Sequence, residues 1–380
     1  MAGESRFALL RAERTANLRD SVWVDAVLPT ILLRGVILVF AVLAVVVVRP
    51  EALPQGSLLG IWDRWDAPHF FEVARYGYGP PADPARIVLF PLFPALIALG
   101  SLVAEPLVAG MLIAFGASLA SAVGLYRLIR LDDNRSTARL GVLAMSIFPT
   151  AFSLVAPYSE AVFLAFAIWA FLFARTGRWP AAGVCALLAG LARIHGAFIL
   201  PALAVEYWLT RRRIERDAAW LLLGAGGPLI YLAINALTFG DPFYFVGIQT
   251  TVFHVSTTAP WTGLWNAWQA ATAVQPTEFW ATVYLAPVAG FVVLGLATIW
   301  TIVGKGGRPS YAVYCALAFL SFAALTWPIS VPRYVMGAFP IFIAMGRLAR
   351  RPWAGPPLFV GSTLLFGVCL TLYVTGHWAF

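Results

Sequence analysis

Apolar runs long enough to cross a bilayer recur along the chain, separated by short polar breaks that carry arginine. A helix needs about 20 apolar residues to span the hydrocarbon. That spacing predicts about eleven membrane helices, at 27–48, 107–127, 139–156, 158–174, 179–195, 197–210, 218–238, 280–303, 310–327, 333–349 and 356–376. The stretch 88–104 (VLFPLFPALIALGSLVA) is equally apolar but opens with two prolines, and it reads as a helix lying on the membrane surface. The predicted fold class is therefore all-α: a polytopic membrane protein with one domain over 27–380. The charged stretch 1–26 reads as a cytoplasmic leader. Two long polar excursions interrupt the pattern, at about 49–106 and 239–279. Loops longer than a connection needs are usually functional.

Composition agrees with the pattern. Hydrophobic residues make up 61% of the 380 residues and charged residues 12%. That is about half the charge of an ordinary soluble domain. The net charge of +8 does not point to nucleic acid, because the arginines sit in short breaks between apolar runs. With the N-terminus inside, the inner breaks hold Arg6, Arg11, Arg14 and Arg19, then Arg127, Arg130, Arg135 and Arg139. They also hold Arg175, Arg178, Arg211, Arg212, Arg213, Arg216, Lys305, Arg308, Arg347, Arg350 and Arg351. Arg34 lies within the first span. Arg49, Arg64, Arg75, Arg86, Arg193 and Arg333 fall outside, together with His69, His195, His254 and His377. Counting 88–104 as a span would break this bias. The working face is thus expected on the outer side of a membrane, and the Ala-, Gly- and Arg-rich composition points to a bacterial plasma membrane. Cys185, Cys315 and Cys369 all lie in apolar segments and suggest neither a disulfide framework nor a metal site.

The outer side collects the chemistry. In Trp62-Asp63-Arg64-Trp65-Asp66-Ala67-Pro68-His69-Phe70, Asp63, Asp66 and His69 are spaced three apart and would share one face of a helix. Asp66, two residues before Pro68, could equally cap a helix. Glu160, in Tyr158-Ser159-Glu160-Ala161, opens an apolar run, where a carboxylate faces a cavity, finds a partner or serves the helix dipole. Arg193 and His195 stand at a break between spans, and Arg333-Tyr334 opens a late one. Both arginines run against the charge bias. A phosphate explains them, because guanidinium binds phosphate bidentately; a salt bridge to Glu160 or Asp66 explains them equally. Gly240-Asp241-Pro242 reads as a turn. No tight acid cluster asks for a metal, and no cofactor motif is present.

Taken in order, Trp65-Asp66-Ala67-x-His69-Phe70, Tyr76-Gly77-Tyr78, Phe90-Pro91-x-Phe93-Pro94 and Tyr158-Ser159-Glu160-Ala161-x-Phe163 resemble the PIG-V-type (GPI mannosyltransferase 2-like) mannosyltransferases. These belong to the GT-C class of multi-spanning glycosyltransferases. The resemblance covers about Trp62 to Tyr334. It implies a GT-C-like fold whose first outer loop carries interfacial helices, a polyprenyl-phosphate-linked sugar donor, mannose as the sugar, and a glycan or glycolipid acceptor. It places the catalytic base at Asp66, with Asp63 as the competitor. Asp63, His69, Glu160, Arg193, His195, Arg333 and Tyr334 would then bind substrate. The chain departs from the family in being compact and reads as bacterial; bacteria do not generally make GPI anchors, so the eukaryotic acceptor does not carry over. The reading from another class is a lipid transporter. Against it, no internal repeat is visible and the polar residues gather at one surface, not the midplane.

Overall fold

The computed structural model describes residues 22–54, 56–273, 279–304 and 306–379. Most of the expected leader and Lys305 lie outside them. The protein is all-helical, 77% helix, and among the described residues the only β pairing is an isolated bridge between Thr257 and Leu325.

The first helix, α1 (Leu28–Val48), begins with Pro29 in its first turn. It ends at Val48, just before Arg49-Pro50, where proline's missing N–H cannot continue the ladder. With the π-turn Trp23–Val27 before it, the span reaches 26 residues, or about 39 Å at 1.5 Å per residue. A long excursion follows, with α2 (Asp66–Tyr76) and α3 (Leu92–Gly100). At nine residues, α3 is too short to cross a membrane. Next come α4 (Pro106–Ile129), α5 (Arg135–Ser146), α6 (Glu160–Arg175), α7 (Trp179–Ala192), α8 (Ile199–Arg211) and α9 (Leu223–Phe239). A second excursion holds α10 (Tyr244–Thr251) and α11 (Pro260–Ala273). The chain then continues through α12 (Ala286–Val303), α13 (Pro309–Ala323), the single turn α14 (Val331–Tyr334), α15 (Pro340–Leu348) and α16 (Gly355–Val374).

Among the described residues, five helices are long and apolar enough to cross a membrane: Trp23–Val48, Pro106–Ile129, Arg216–Phe239, Ala281–Val303 and Gly355–Val374. By length and composition they mark an integral membrane protein. In the apolar 18-residue stretch of each, 28–39% of the residues are buried inside the protein. The other six expected spans contain shorter or interrupted helices. Helix α6 is nearly all buried along its 16 residues, so protein surrounds it where lipid would surround a lone span. The 139–156 run stops at Ser146 and resumes as a 3-10 turn, Ala151–Leu154, across Pro149.

Close packing relies on small residues. A Cβ on Gly227 of α9 would sit 2.8 Å from the Gly190 Cα of α7, so only glycine lets these backbones meet. One end of the bundle is tied by ion pairs: Asp25 with Arg135, Asp132 with Arg175, Glu206 with Arg308, and Asp133 with Arg347. Several of the arginines read above as topology signals therefore also join helix ends. At the other end, the two excursions meet. Ile87 and Ile248 share a small apolar cluster, and the Tyr231 hydroxyl of α9 donates to the Ile87 carbonyl at 2.7 Å.

Candidate functional site

Helix α2 brings the first carboxylate into place. Pro68 sits in its first turn, where a missing N–H costs nothing. Gly77, at φ 72°, ends it. The residue before α2 is unusual: Trp65 has φ 53°, a conformation side chains other than glycine rarely adopt. This reversal corrects one expectation. Asp63 ends the 3-10 turn Leu58–Trp62, so it shares no helix face with Asp66 and His69. Asp63 is exposed and makes no ion pair among the described residues. Partial desolvation pushes its carboxyl above the usual range, opposed by the neighbouring Arg64.

Asp66 does not cap its helix. Its Oδ2 accepts a hydrogen bond from Arg333 Nη1 at 2.7 Å. Arg333 Nε lies 2.8 Å from Glu160 Oε1, and Arg193 Nη1 lies 2.6 Å from the same oxygen. Arg193 Nη1 also donates to the Ser159 hydroxyl at 3.1 Å. The four charged side chains form one chain: Asp66, Arg333, Glu160, Arg193. Side-chain exposure falls from 33% at Asp66 to 7% at Arg333 and 6% at Glu160, then rises to 14% at Arg193. Both arginines therefore have carboxylate partners, which is the salt-bridge alternative left open by the sequence. Two carboxylates and two guanidiniums leave the cluster neutral overall.

The supporting elements come from across the chain. Arg333 is carried by α14, whose Pro332 carbonyl accepts from the Thr150 hydroxyl at 3.1 Å. Arg193 stands in extended backbone between α7 and the turn Ile194–Phe198. Its guanidinium lies 5.2 Å from the centre of the Tyr334 ring, and Arg333 lies 5.7 Å from that ring and 5.2 Å from Tyr158's. Such cation–π contacts add attraction without adding charge. His195 packs among Phe322 at 4.6 Å, Tyr334 at 5.3 Å, Phe198 at 6.0 Å and Phe163 at 6.3 Å.

Six of the eight expected residues thus gather: Asp66, Glu160, Arg193 and Arg333 by ion pairs, Tyr334 and His195 by ring contacts. His69 shares α2 with Asp66 but makes no hydrogen bond among the described residues. Burial and Arg86 hold its imidazole below the ordinary value, against the pull of Asp66, Glu72 and Asp83. Sequence reading missed Ser159 and the supporting roles of Tyr158 and Tyr373. Ser159 and Tyr158 stood in a motif already noted; Tyr373, inside an apolar span, gave no signal. The Asp241 turn is present, with the Phe243 N–H donating to Asp241 Oδ1 at 2.9 Å.

The far side of α2 is pinned separately. Glu72 accepts from the Asp83 N–H at 2.8 Å and from Arg86 Nε at 2.6 Å. These bonds hold its carboxyl below its ordinary value of 4.5. The stabilisation is fully present above that value and is lost as pH falls through the lowered folded value. Thermal unfolding of detergent-solubilised protein should therefore weaken in acid more steeply for the natural chain than for Glu72→Gln. Equal acid sensitivity would count against the pin.

Among the described residues, no group of three or more His, Cys, Asp and Glu side chains is placed to hold a metal ion. No known family profile matches the chain, and a search of curated proteins finds no significant match.

Proposed function

We propose that the chain is a GT-C-like glycosyltransferase that moves a mannosyl residue from a polyprenyl-phosphate donor to a hydroxyl acceptor on a glycan or glycolipid. In this reading the eleven apolar segments together cross or enter the membrane. The N-terminus is cytoplasmic, and the end bearing Asp66 and Arg333 faces outward, as the arginine bias asks.

One observation carries the reading. Asp66 is anchored through Oδ2 by a buried arginine, while its Oδ1 has no partner among the described residues and the side chain is one-third exposed. An anchored carboxylate with one oxygen open to arriving substrate is what a general base requires.

The charges then balance through the step. The acceptor oxygen attacks the anomeric carbon, and the bond from that carbon to the phosphate oxygen breaks with inversion. The bonding pair leaves with the lipid phosphate, which gains one negative charge. The acceptor's proton passes to Asp66 Oδ1. That proton turns the neutral cluster into one with a net positive charge, as the phosphate becomes more negative. Arg333 and Arg193, held in place beforehand, then face a growing anion without having to reorganise. Glu160 fixes both guanidiniums. Asp63, His69, His195 and Tyr334 bind sugar or acceptor hydroxyls.

A test in proteoliposomes separates this reading from a transporter. Radiolabelled polyprenyl-phosphate mannose is supplied with total bacterial membrane lipid as acceptor. Label appearing in a new product is the expected result. Label that crosses the bilayer still attached to its polyprenyl phosphate would instead support transport and overturn the transfer reading.

A further inference from the structure

We propose that Trp378, in the segment after α16, is a positioning residue that holds Trp65 in its left-handed conformation and thereby aims Asp66 at Arg333; its catalytic consequence rests on the reading above. Side chains from three distant residues hold the approach to Asp66. The Tyr373 hydroxyl donates to the Trp62 carbonyl at 2.9 Å. The Tyr158 hydroxyl donates to the Arg64 carbonyl at 3.2 Å. The Trp65 ring meets Trp378 edge to face, with centroids 5.2 Å apart and planes at 82°. The two carbonyl bonds fix the chain up to Arg64. The Ala67 N–H donates to the same Arg64 carbonyl at 3.1 Å and closes a turn over Trp65 and Asp66, with Trp65 at its strained corner, φ 53°. The ring contact acts at that residue.

Trp378 is placed by contacts that do not depend on Trp65. Helix α16 ends in a Schellman turn. Gly376 takes φ 84°, its N–H donates to the Tyr373 carbonyl, and the His377 N–H donates to the Leu372 carbonyl. Arg49 Nη1 donates to the Thr375 carbonyl at 2.9 Å, and the Thr375 hydroxyl is 2.9 Å from His377 Nδ1. The His377 ring stacks on Phe279, 5.6 Å away. The segment is thus fastened to α1 and to the second excursion before Trp378 reaches Trp65. Without the Trp378 ring, that turn loses its packing at Trp65 and opens as Trp65 relaxes to negative φ. That change turns the first residue of α2 and takes the Asp66 carboxylate away from Arg333.

Hydrogen exchange on the full-length protein in nanodiscs tests the clamp without using activity. Trp378→Ala should speed exchange across 62–70 by about tenfold, leaving α6 and α13 unchanged. Trp378→Phe should stay near the natural rate. Trp261→Ala, which removes an exposed ring elsewhere, should change nothing in 62–70. Should the alanine variant not fold, Trp378→Leu carries the same expectation. Unchanged exchange in 62–70, or an equal rise everywhere, overturns the clamp. In the transfer assay, Trp378→Ala should lower kcat with donor KM unchanged, and Trp378→Phe should restore it. Unchanged kcat despite faster exchange overturns the positioning role. An inactive natural enzyme with the exchange pattern intact leaves the clamp standing and counts against lipid-linked mannose as the donor instead.

Discussion

Replacing Glu160 with alanine is expected to lower stability by on the order of 3 kcal/mol, because it strips a buried charge from two buried partners. Glu160 is 6% exposed, and its Oε1 lies within 2.8 Å of a nitrogen of both Arg333 and Arg193. Arg333 would keep Asp66, but among the described residues Arg193 would keep only the Ser159 hydroxyl and the face of Tyr334. An unpaired guanidinium in a site this dry is the costly outcome, more than the lost attraction itself. Two comparisons separate these terms. Glu160→Gln keeps the shape and one acceptor oxygen, so it should fall between the natural chain and alanine. Glu160→Ala combined with Arg193→Leu should lose less than the two single changes added together, because the second removes the stranded charge. Thermal unfolding in one detergent, at one protein concentration, reads all five proteins: the natural chain, the three single variants and the double. Strict additivity would mean that the two residues do not act as a pair.

Asp66→Asn is the second large effect, and it should fall on chemistry alone. Asparagine can still accept from Arg333 through its amide oxygen, so α2 and the cluster should keep their places. It cannot take a proton. Loss of a general base costs about 10²–10⁴-fold in rate. The expected pattern is a fall of that size in kcat, with donor KM nearly unchanged and thermal stability close to that of the natural protein. Asp63→Asn should leave kcat within a few-fold, since Asp63 is exposed and unpaired among the described residues. The reverse pattern would move the base to Asp63.

The long helices and the out-of-place charges were both legible in the sequence, for different reasons. Runs such as 27–48 and 356–376 are read from length and apolarity, and the structure puts helices there. Arg193, Glu160 and Arg333 stood out because a charge in an apolar setting needs a partner. The structure brings those three together with Asp66, although 267 residues separate Asp66 from Arg333. What escaped has physical causes. Hydropathy cannot separate lipid from protein surroundings, so the buried 16 residues of α6 looked like an ordinary span. The Asp63–Asp66–His69 spacing suggested one helical face, but the backbone reversal at Trp65 has no residue-type signal; glycine or asparagine would have given one. The contact between Trp65 and Trp378 joins distant parts of the chain, and nothing local announces it.

The measurement that bears most directly on the account is side-by-side transfer by the natural protein and Asp66→Asn, purified, equally stable, and supplied with radiolabelled polyprenyl-phosphate mannose and bacterial membrane lipid. The account predicts a new labelled product from the natural protein and at most about one-hundredth of its rate from the variant. Equal transfer by the two would contradict the role given to Asp66. Transfer by neither would contradict the assignment of lipid-linked mannose as the donor.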